Sequence, residues 1–285
     1  MTERVISGRI AQLFIHPIKS CAGIEVSEAL LTPTGLKYDR HWMLVNNAGH
    51  FLTQREFPQM ALIKTSLTDT HLIIDAPGMS AFQVPLDETG DLLTVQVWKS
   101  TVTAFDMGEV ANAWFSQVMG VSVKLVRFNA DEPRACSTKW TGDVQATTEF
   151  ADGYPLLVTT RAAIDELNQK LVDRDFAAVD QRRFRPNIVL DGLPAHDEDL
   201  LEIIYIEADE PVQIKNVKPC SRCPIPSIDP DTAVYQPEAV GDTIQSYRQD
   251  ARVNGEVTFG MNAIVLQGAG QMLRVGQVVS ADYAF

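Results

Sequence analysis

Short β-prone stretches, some mixed apolar and polar and some wholly apolar, fill the first half of the chain. They fall at 9–15, 24–31, 42–46, 62–67, 72–74, 93–97 and 101–107, separated by Gly, Pro, Asn and Asp. β-prone runs with this punctuation predict strands, and the spacing suggests a barrel or sandwich. Over 108–119 the pattern changes. Val110, Trp114, Phe115 and Val118 recur at helical spacing, which predicts one helix before a strand at 121–128. The polar stretch 129–149 contains Pro133 and Gly142 and lacks periodicity, so it reads as a loop crossing between domains or over a site. A second helix is predicted over 160–172, where Ala163, Leu167 and Leu171 share a face and Thr160 offers a cap oxygen. Strands resume at 187–190, 202–206, 212–217, 263–267 and 273–279, enough for a second small barrel, with Gly276 marking a turn or bulge. The expected fold is mainly β with a few helices (α+β), an N-terminal barrel domain over 1–128 and a second barrel domain over 129–285.

Composition narrows the class of function. A chain of 285 residues that is 45% hydrophobic can bury a large core or two smaller ones. The excess of 37 acidic over 24 basic residues gives net −13, which disfavours a nucleic acid polymer or an anionic membrane as partner. No apolar run is long enough to span a bilayer. The first residues lack the order of a signal peptide, and four Cys do not make a disulfide scaffold. A reducing, cytoplasmic setting is expected.

The most chemically loaded segment is Lys218-Pro219-Cys220-Ser221-Arg222-Cys223-Pro224-Ile225-Pro226. Structural zinc needs four ligands, whereas Cys21 and Cys136 stand alone and the five His show no paired spacing. A thioredoxin-like dithiol needs a helix after its first thiol, which Pro224, Pro226 and Pro230 would break. Two inert loop cysteines and a soft-metal ligand remain. Arg222 and Lys218 favour the second, because a nearby cation promotes thiolate. The pair alone names neither the metal nor the thiol.

Cations gather in punctuated segments despite the acidic background. Arg182, Arg183 and Arg185 lie within four positions, ahead of an apolar strand, so at least one is expected to meet an anion. A few charge-assisted hydrogen bonds can hold a phosphorylated cofactor. There is neither a Gly-x-Gly-x-x-Gly nor a P-loop, which argues against nicotinamide and nucleoside triphosphate enzymes.

Five segments in order carry a resemblance: 14–20 (FIHPIKS), 38–45 (YDRHWMLV), 150–155 (FADGYP), 184–189 (FRPNIV) and 218–223 (KPCSRC), followed by 229–232 (DPDT), 246–248 (SYR) and 259–260 (FG). Together they resemble the MOSC-domain family, in its two-domain branch, which contains the mitochondrial amidoxime-reducing components and bacterial proteins that protect against hydroxylaminopurines. The likeness runs from Leu13 to about Val278. It implies two β-rich domains holding a mononuclear molybdenum through one pterin dithiolene, the molybdenum cofactor, with Cys223 as the metal ligand and catalytic centre. Cys220 is then a loop support or inert. Lys19, Ser20 and Arg40 correspond to cofactor contacts from the first domain, and Asp152, Gly153, Tyr154, Arg185, Asn187, Ser221 and Arg222 to contacts from the second. Asn262, after Phe259-Gly260-Met261, is a further contact. Lys19, Arg40 and Arg185 suit phosphate and pterin acceptors, and Asn187 can donate and accept at a pterin edge. Arg182 and Arg183 read as surface.

Two departures bear on function. Relatives usually carry a hydroxyl pair before Val-Asp-Pro, whereas Pro226 and Ser227 precede Ile228-Asp229-Pro230 here, so substrate preference does not carry over. The chain ends at Phe285 without the ferredoxin-like iron–sulfur domain that some bacterial relatives append, so electrons are expected from a separate donor, a flavin reductase or a ferredoxin-like protein. The implied activity is reduction of small N-hydroxylated compounds, hydroxylaminopurines or amidoximes, to the amine or amidine and water. The alternative is a non-enzymatic sulfur or molybdenum-cofactor carrier working through the same Cys223.

Overall fold

The structure is a computed structural model and describes residues 6–284. Seven strands close a barrel. Around the ring they run Leu156–Thr160, Ile188–Asp191, Ile6–Ile15, Val278–Tyr283, Leu201–Ile206, Val212–Ser221 and Glu256–Gln267, the last pairing back onto the first. Leu156–Thr160 and Ile188–Asp191 are parallel, so the chain between them must cross over. The helix Arg161–Val172 does this, capped by Thr160, whose hydroxyl accepts from the Ala163 N–H at 3.3 Å. Ala163, Leu167 and Leu171 are its buried face, as the spacing predicts.

Ile6–Ile15 lies between Ile188–Asp191 and Val278–Tyr283, so the start of the chain completes the barrel built by its end. The interior is apolar, with Ile10, Leu13, Val158, Ile188, Leu190, Ile214 and Ala263 all buried. Beyond Ile24–Val26, which pairs with Ile6–Ile15, and Glu28–Thr32 and Gly35–Leu36, which form a small sheet with Met272–Arg274, the first half forms a four-stranded antiparallel sheet, Trp42–Val45, Lys124–Phe128, Ser100–Asp106 and Leu92–Val97, and a three-stranded one, Lys64–Leu67, His71–Asp75 and Phe82–Pro85. Trp42–Val45 is buried throughout because successive side chains enter different cores. Trp42 and Leu44 meet Phe115 and Leu125, whereas Met43 and Val45 meet Phe128 and Phe150.

Several elements differ from expectation. The helix Glu109–Met119 buries Ala111, Phe115 and Met119 and packs Trp114 and Val118 against the same core, while Val110 is 73% exposed; the first position of the expected stripe faces solvent. The stretch read as loop carries a two-stranded ribbon, Arg134–Ala135 with Thr147–Thr148, and a helical turn, Thr138–Thr141. The strands Phe82–Pro85 and Leu156–Thr160 and the helix Val240–Gln245 are additional, and Glu256–Gln267 extends well upstream of residue 263. Leu156–Thr160 is buried on both faces, as is Trp42–Val45, and shows no alternation. Gly276 (φ +91°) sits at the turn between Met272–Arg274 and Val278–Tyr283. No helix among the described residues is long and apolar enough to cross a membrane.

Candidate functional site

Where Val212–Ser221 pairs with Glu256–Gln267 the ladder slips three times, the last slip falling between Pro219 and Ser221. Bulges re-aim side chains, and a strand proline, having no N–H, is tolerated at one. The strand therefore ends by presenting Cys220 and Ser221, and the chain turns through Arg222 and Cys223 into the short 3-10 turn Ile225–Ser227. Opposite lie two turns that follow Ile6–Ile15 and Gly35–Leu36, bearing Lys19, Ser20 and Arg40. Ser20 (φ +67°), Arg40 (φ +51°) and Arg185 (φ +57°) all hold left-handed backbone, a conformation costing roughly 1–2 kcal/mol for a side-chain-bearing residue.

These segments enclose one cleft of about 120 Å³. All twelve residues singled out from the sequence line it: Lys19, Ser20 and Arg40 from one side, Asp152, Gly153, Tyr154, Arg185, Asn187 and Asn262 from the barrel rim, and Ser221, Arg222 and Cys223 from the bulged strand end. Cys220, Phe184, Thr53 and Arg55 also line it, together with Ala151, Leu156, Leu157 and Ile225.

The Lys19 ammonium is buried and donates to the Phe150 carbonyl at 2.7 Å and to the Asp152 carboxylate. Burial lowers its pKa and Asp152 partly restores it. Arg40 is a clamp between the two halves. Its Nη1 donates to both oxygens of Asp39 (2.8 and 2.6 Å) and to Asn187 Oδ1 at 3.2 Å, and its Nη2 to the Arg185 carbonyl at 3.0 Å. Asn187 is 1% exposed; its Oδ1 also accepts from the Leu157 N–H at 3.1 Å, and its Nδ2 donates to the Phe14 carbonyl at 3.2 Å. Its amide thus ties the end of Ile6–Ile15 to Leu156–Thr160 within the barrel.

Arg185 is different. Its Nη1 donates to the Cys21 carbonyl at 2.6 Å, but its Nη2 is buried without a partner. Burial, then the neighbouring charge of Arg40, bring its pKa down to about 10. Ser221 Oγ and Arg222 Nε are likewise buried and unpartnered. A buried polar group left unpaired costs about 1–3 kcal/mol, so three on one cleft favour an acceptor-rich ligand there.

The cysteines divide cleanly. Burial pushes the Cys21 thiol up to about 12 and the Cys136 thiol up to about 11, so both stay protonated at neutral pH. Cys220 and Cys223 are half-buried in the cleft. The cation expected beside the pair is aimed at Cys220, whose Sγ accepts from Arg222 Nη1 at 3.0 Å. The Cys223 thiol has no hydrogen-bond partner among the described residues. Of the two arginines read as surface, Arg182 is half-exposed between Asp180 and Asp231, whereas the Arg183 side chain is only 11% exposed and pairs with Asp229 at 2.8 Å; that carboxylate neutralises it and permits burial.

Residues 7–122 match the model of the MOSC N-terminal beta barrel domain and residues 145–280 that of the MOSC domain. Mitochondrial amidoxime-reducing component 1 of Mus musculus is 34% identical over 85% of this chain and 72% of its own length. The chain belongs to the MOSC-domain family, in its two-domain branch. Mitochondrial amidoxime reducing component 2 of Homo sapiens is 32% identical with the same coverage, and component 1 of Homo sapiens is 29% identical over 95% of this chain and 82% of its own length.

In this MOSC protein the cleft suits the anionic pterin group that the resemblance implies. Arg185 Nη2, Ser221 Oγ and Arg222 Nε offer free donors, Cys223 offers an unengaged soft ligand, and a Cβ built on Gly153 would meet nothing within 4 Å, leaving open room in the wall. Thr53 and Arg55 are shared with a second cavity of about 650 Å³, which gives a group larger than the enclosed space room at the mouth. Sequence reasoning missed Asp39, which neutralises Arg40, and Arg134. The Arg134 Nη1 donates to the carbonyls of Glu149 (2.5 Å) and Ala151 (2.7 Å) and so fixes the loop bearing Asp152 and Gly153. A buried partner for Arg40 is signalled by Asp39 beside it in the chain, but Arg134 lies in a polar stretch without periodicity and carries no such signal.

Proposed function

We propose that this MOSC protein is a molybdenum-cofactor-dependent oxidoreductase that reduces small N-hydroxylated compounds with electrons from a separate donor protein. The observation that carries this reading is that Cys223, half-buried and unengaged, faces the cleft where three buried donors lack partners. When bound, the cofactor would supply the two-electron chemistry at a soft metal. Cys223 would hold the metal, and Arg185, Ser221 and Arg222 would hold the pterin's acceptors. Lys19 and Arg40 set the positive field of the cleft, although both are already paired, with Asp152 and Asp39. Asn187 and Arg134 position the walls. The relatives named amidoxime-reducing components support the substrate class, and the four unpaired cysteines suit a reducing, cytoplasmic compartment.

The test uses protein made in a host that synthesises the cofactor. Bound molybdenum and pterin are measured for the wild type, Cys223→Ala, Cys220→Ala and Arg185→Ala, alongside turnover of benzamidoxime and 6-hydroxylaminopurine with a chemical reductant. Loss of metal and activity in Cys223→Ala, near-complete retention in Cys220→Ala and reduced pterin in Arg185→Ala are expected. Metal bound without turnover by the wild type would favour the carrier alternative, and equal loss in both cysteine variants would refute a single-thiol site.

A further inference from the structure

The second cavity, beside the thiol cleft, is walled by Phe51, Phe57, Gln96 and Trp98. Trp98 is the first residue of a two-residue hairpin tip, Trp98-Lys99, joining Leu92–Val97 to Ser100–Asp106, and it holds φ +55°. Tight hairpins favour Gly, Asn or Asp at such a position, and a bulky residue there is an outlier that needs a reason. Burial is not the reason, since Trp98 is 39% exposed. Its surroundings orient it instead. The indole N–H donates to Asp152 Oδ1 at 3.0 Å, Phe51 lies 5.1 Å away at 57°, and the Arg55 guanidinium sits 4.5 Å from the ring centroid. Asp152 and Arg55 also line the thiol cleft, so Trp98 is anchored from the site itself. Arg55 is exposed and makes no ion pair or hydrogen bond among the described residues. It is a free cation on an aromatic face at the wall shared by both cavities.

We infer that Trp98 and Arg55 form a binding plate for the flat, conjugated part of the substrate. An arene or nitrogen heterocycle takes the indole face that the exposed Arg55 guanidinium now covers, Arg55 swings aside to meet its acceptor edge, and its N-hydroxylated substituent points into the cleft of Cys223. This inference rests on the reading of the protein as a reductase of N-hydroxylated compounds, and it narrows the class to planar aromatic members. Stacking of a planar base on an aromatic side chain carries a large share of affinity, whereas an aliphatic substrate has nothing to stack.

The experiment compares wild type, Trp98→Ala, Trp98→Phe and Arg55→Ala as full chains. Calorimetry measures the affinity of each, as isolated, for 6-hydroxylaminopurine; turnover of the cofactor-loaded forms gives the ratio of kcat/KM for benzamidoxime over acetamidoxime. Trp98→Ala is expected to weaken purine binding and to lower the ratio by about tenfold each. Trp98→Phe, which keeps a ring but loses the N–H to Asp152, should stay within about threefold of wild type, and Arg55→Ala should weaken purine binding by about threefold or more. Equal losses in the Ala and Phe variants would mean that Trp98 acts only through Asp152, and an unchanged ratio in Trp98→Ala would mean that nothing stacks there; either overturns the plate. Absence of turnover by every form, wild type included, would overturn the reductase reading, while the calorimetric series would still decide the plate.

Discussion

Glu198 offers a quantitative check on the energetics of the barrel's outer layer. It is fully buried, its Oε2 accepts from the Thr160 hydroxyl at 2.8 Å and its Oε1 has no partner. Burial, with Asp199 adding to it, raises the pKa from 4.5 to about 7. The folded state therefore holds a proton that the unfolded chain releases, so stability falls as pH rises between about 4.5 and 7 and is level on either side. At about 1.36 kcal/mol per unit, the loss is roughly 3 kcal/mol above pH 7. Glu198→Gln replaces the carboxyl by a neutral group of the same shape and removes this dependence. Urea unfolding of both proteins from pH 4.5 to 9 gives the difference curve, from which any constant effect of the amide drops out. The variant should gain roughly 3 kcal/mol relative to wild type across the window, with the gain complete near pH 8. A difference that does not change with pH, or that moves against the variant as pH rises, would refute a buried, protonated Glu198.

Other outcomes follow from packing and geometry. Phe184 is fully buried and stacks on Phe259 at 3.8 Å, so Phe184→Ala should cost about 3–5 kcal/mol in denaturant unfolding. Gly260 holds φ +77°, and a Cβ there would lie 2.7 Å from the Val158 carbonyl where the barrel closes; Gly260→Ala should cost about 2 kcal/mol or more, read as a lowered Tm. Arg134→Met leaves the carbonyls of Glu149 and Ala151 without their donor and should cost about 2–4 kcal/mol while raising amide exchange across 149–153. Val110→Glu, on the exposed face of its helix, should leave stability within about 0.5 kcal/mol.

β-prone runs between turn residues were enough to place most strands, and the helical period was enough to place Arg161–Val172, because a helix with one wet face writes its geometry into its apolar spacing. Leu156–Thr160, wet on neither face, was not among them. The cleft's membership was legible from ordered motifs, and all twelve named residues do meet. Their division of labour was not. Arg40 and Asn187 look like ligand contacts in one dimension, yet their partners, Asp39, Phe14 and Leu157, come from both halves of the chain and engage them inside the protein. Arg222 lies between two thiols in sequence, and only the bulged end of its strand decides that it turns to Cys220. The pairing of Ile6–Ile15 with strands some 180 to 270 residues later depends on which edges remain open when the barrel closes. Local sequence determined which segments could become strands and which residue types could hold an anion beside a thiol; long-range closure decided which of those groups were left without a protein partner, and hence free for a ligand.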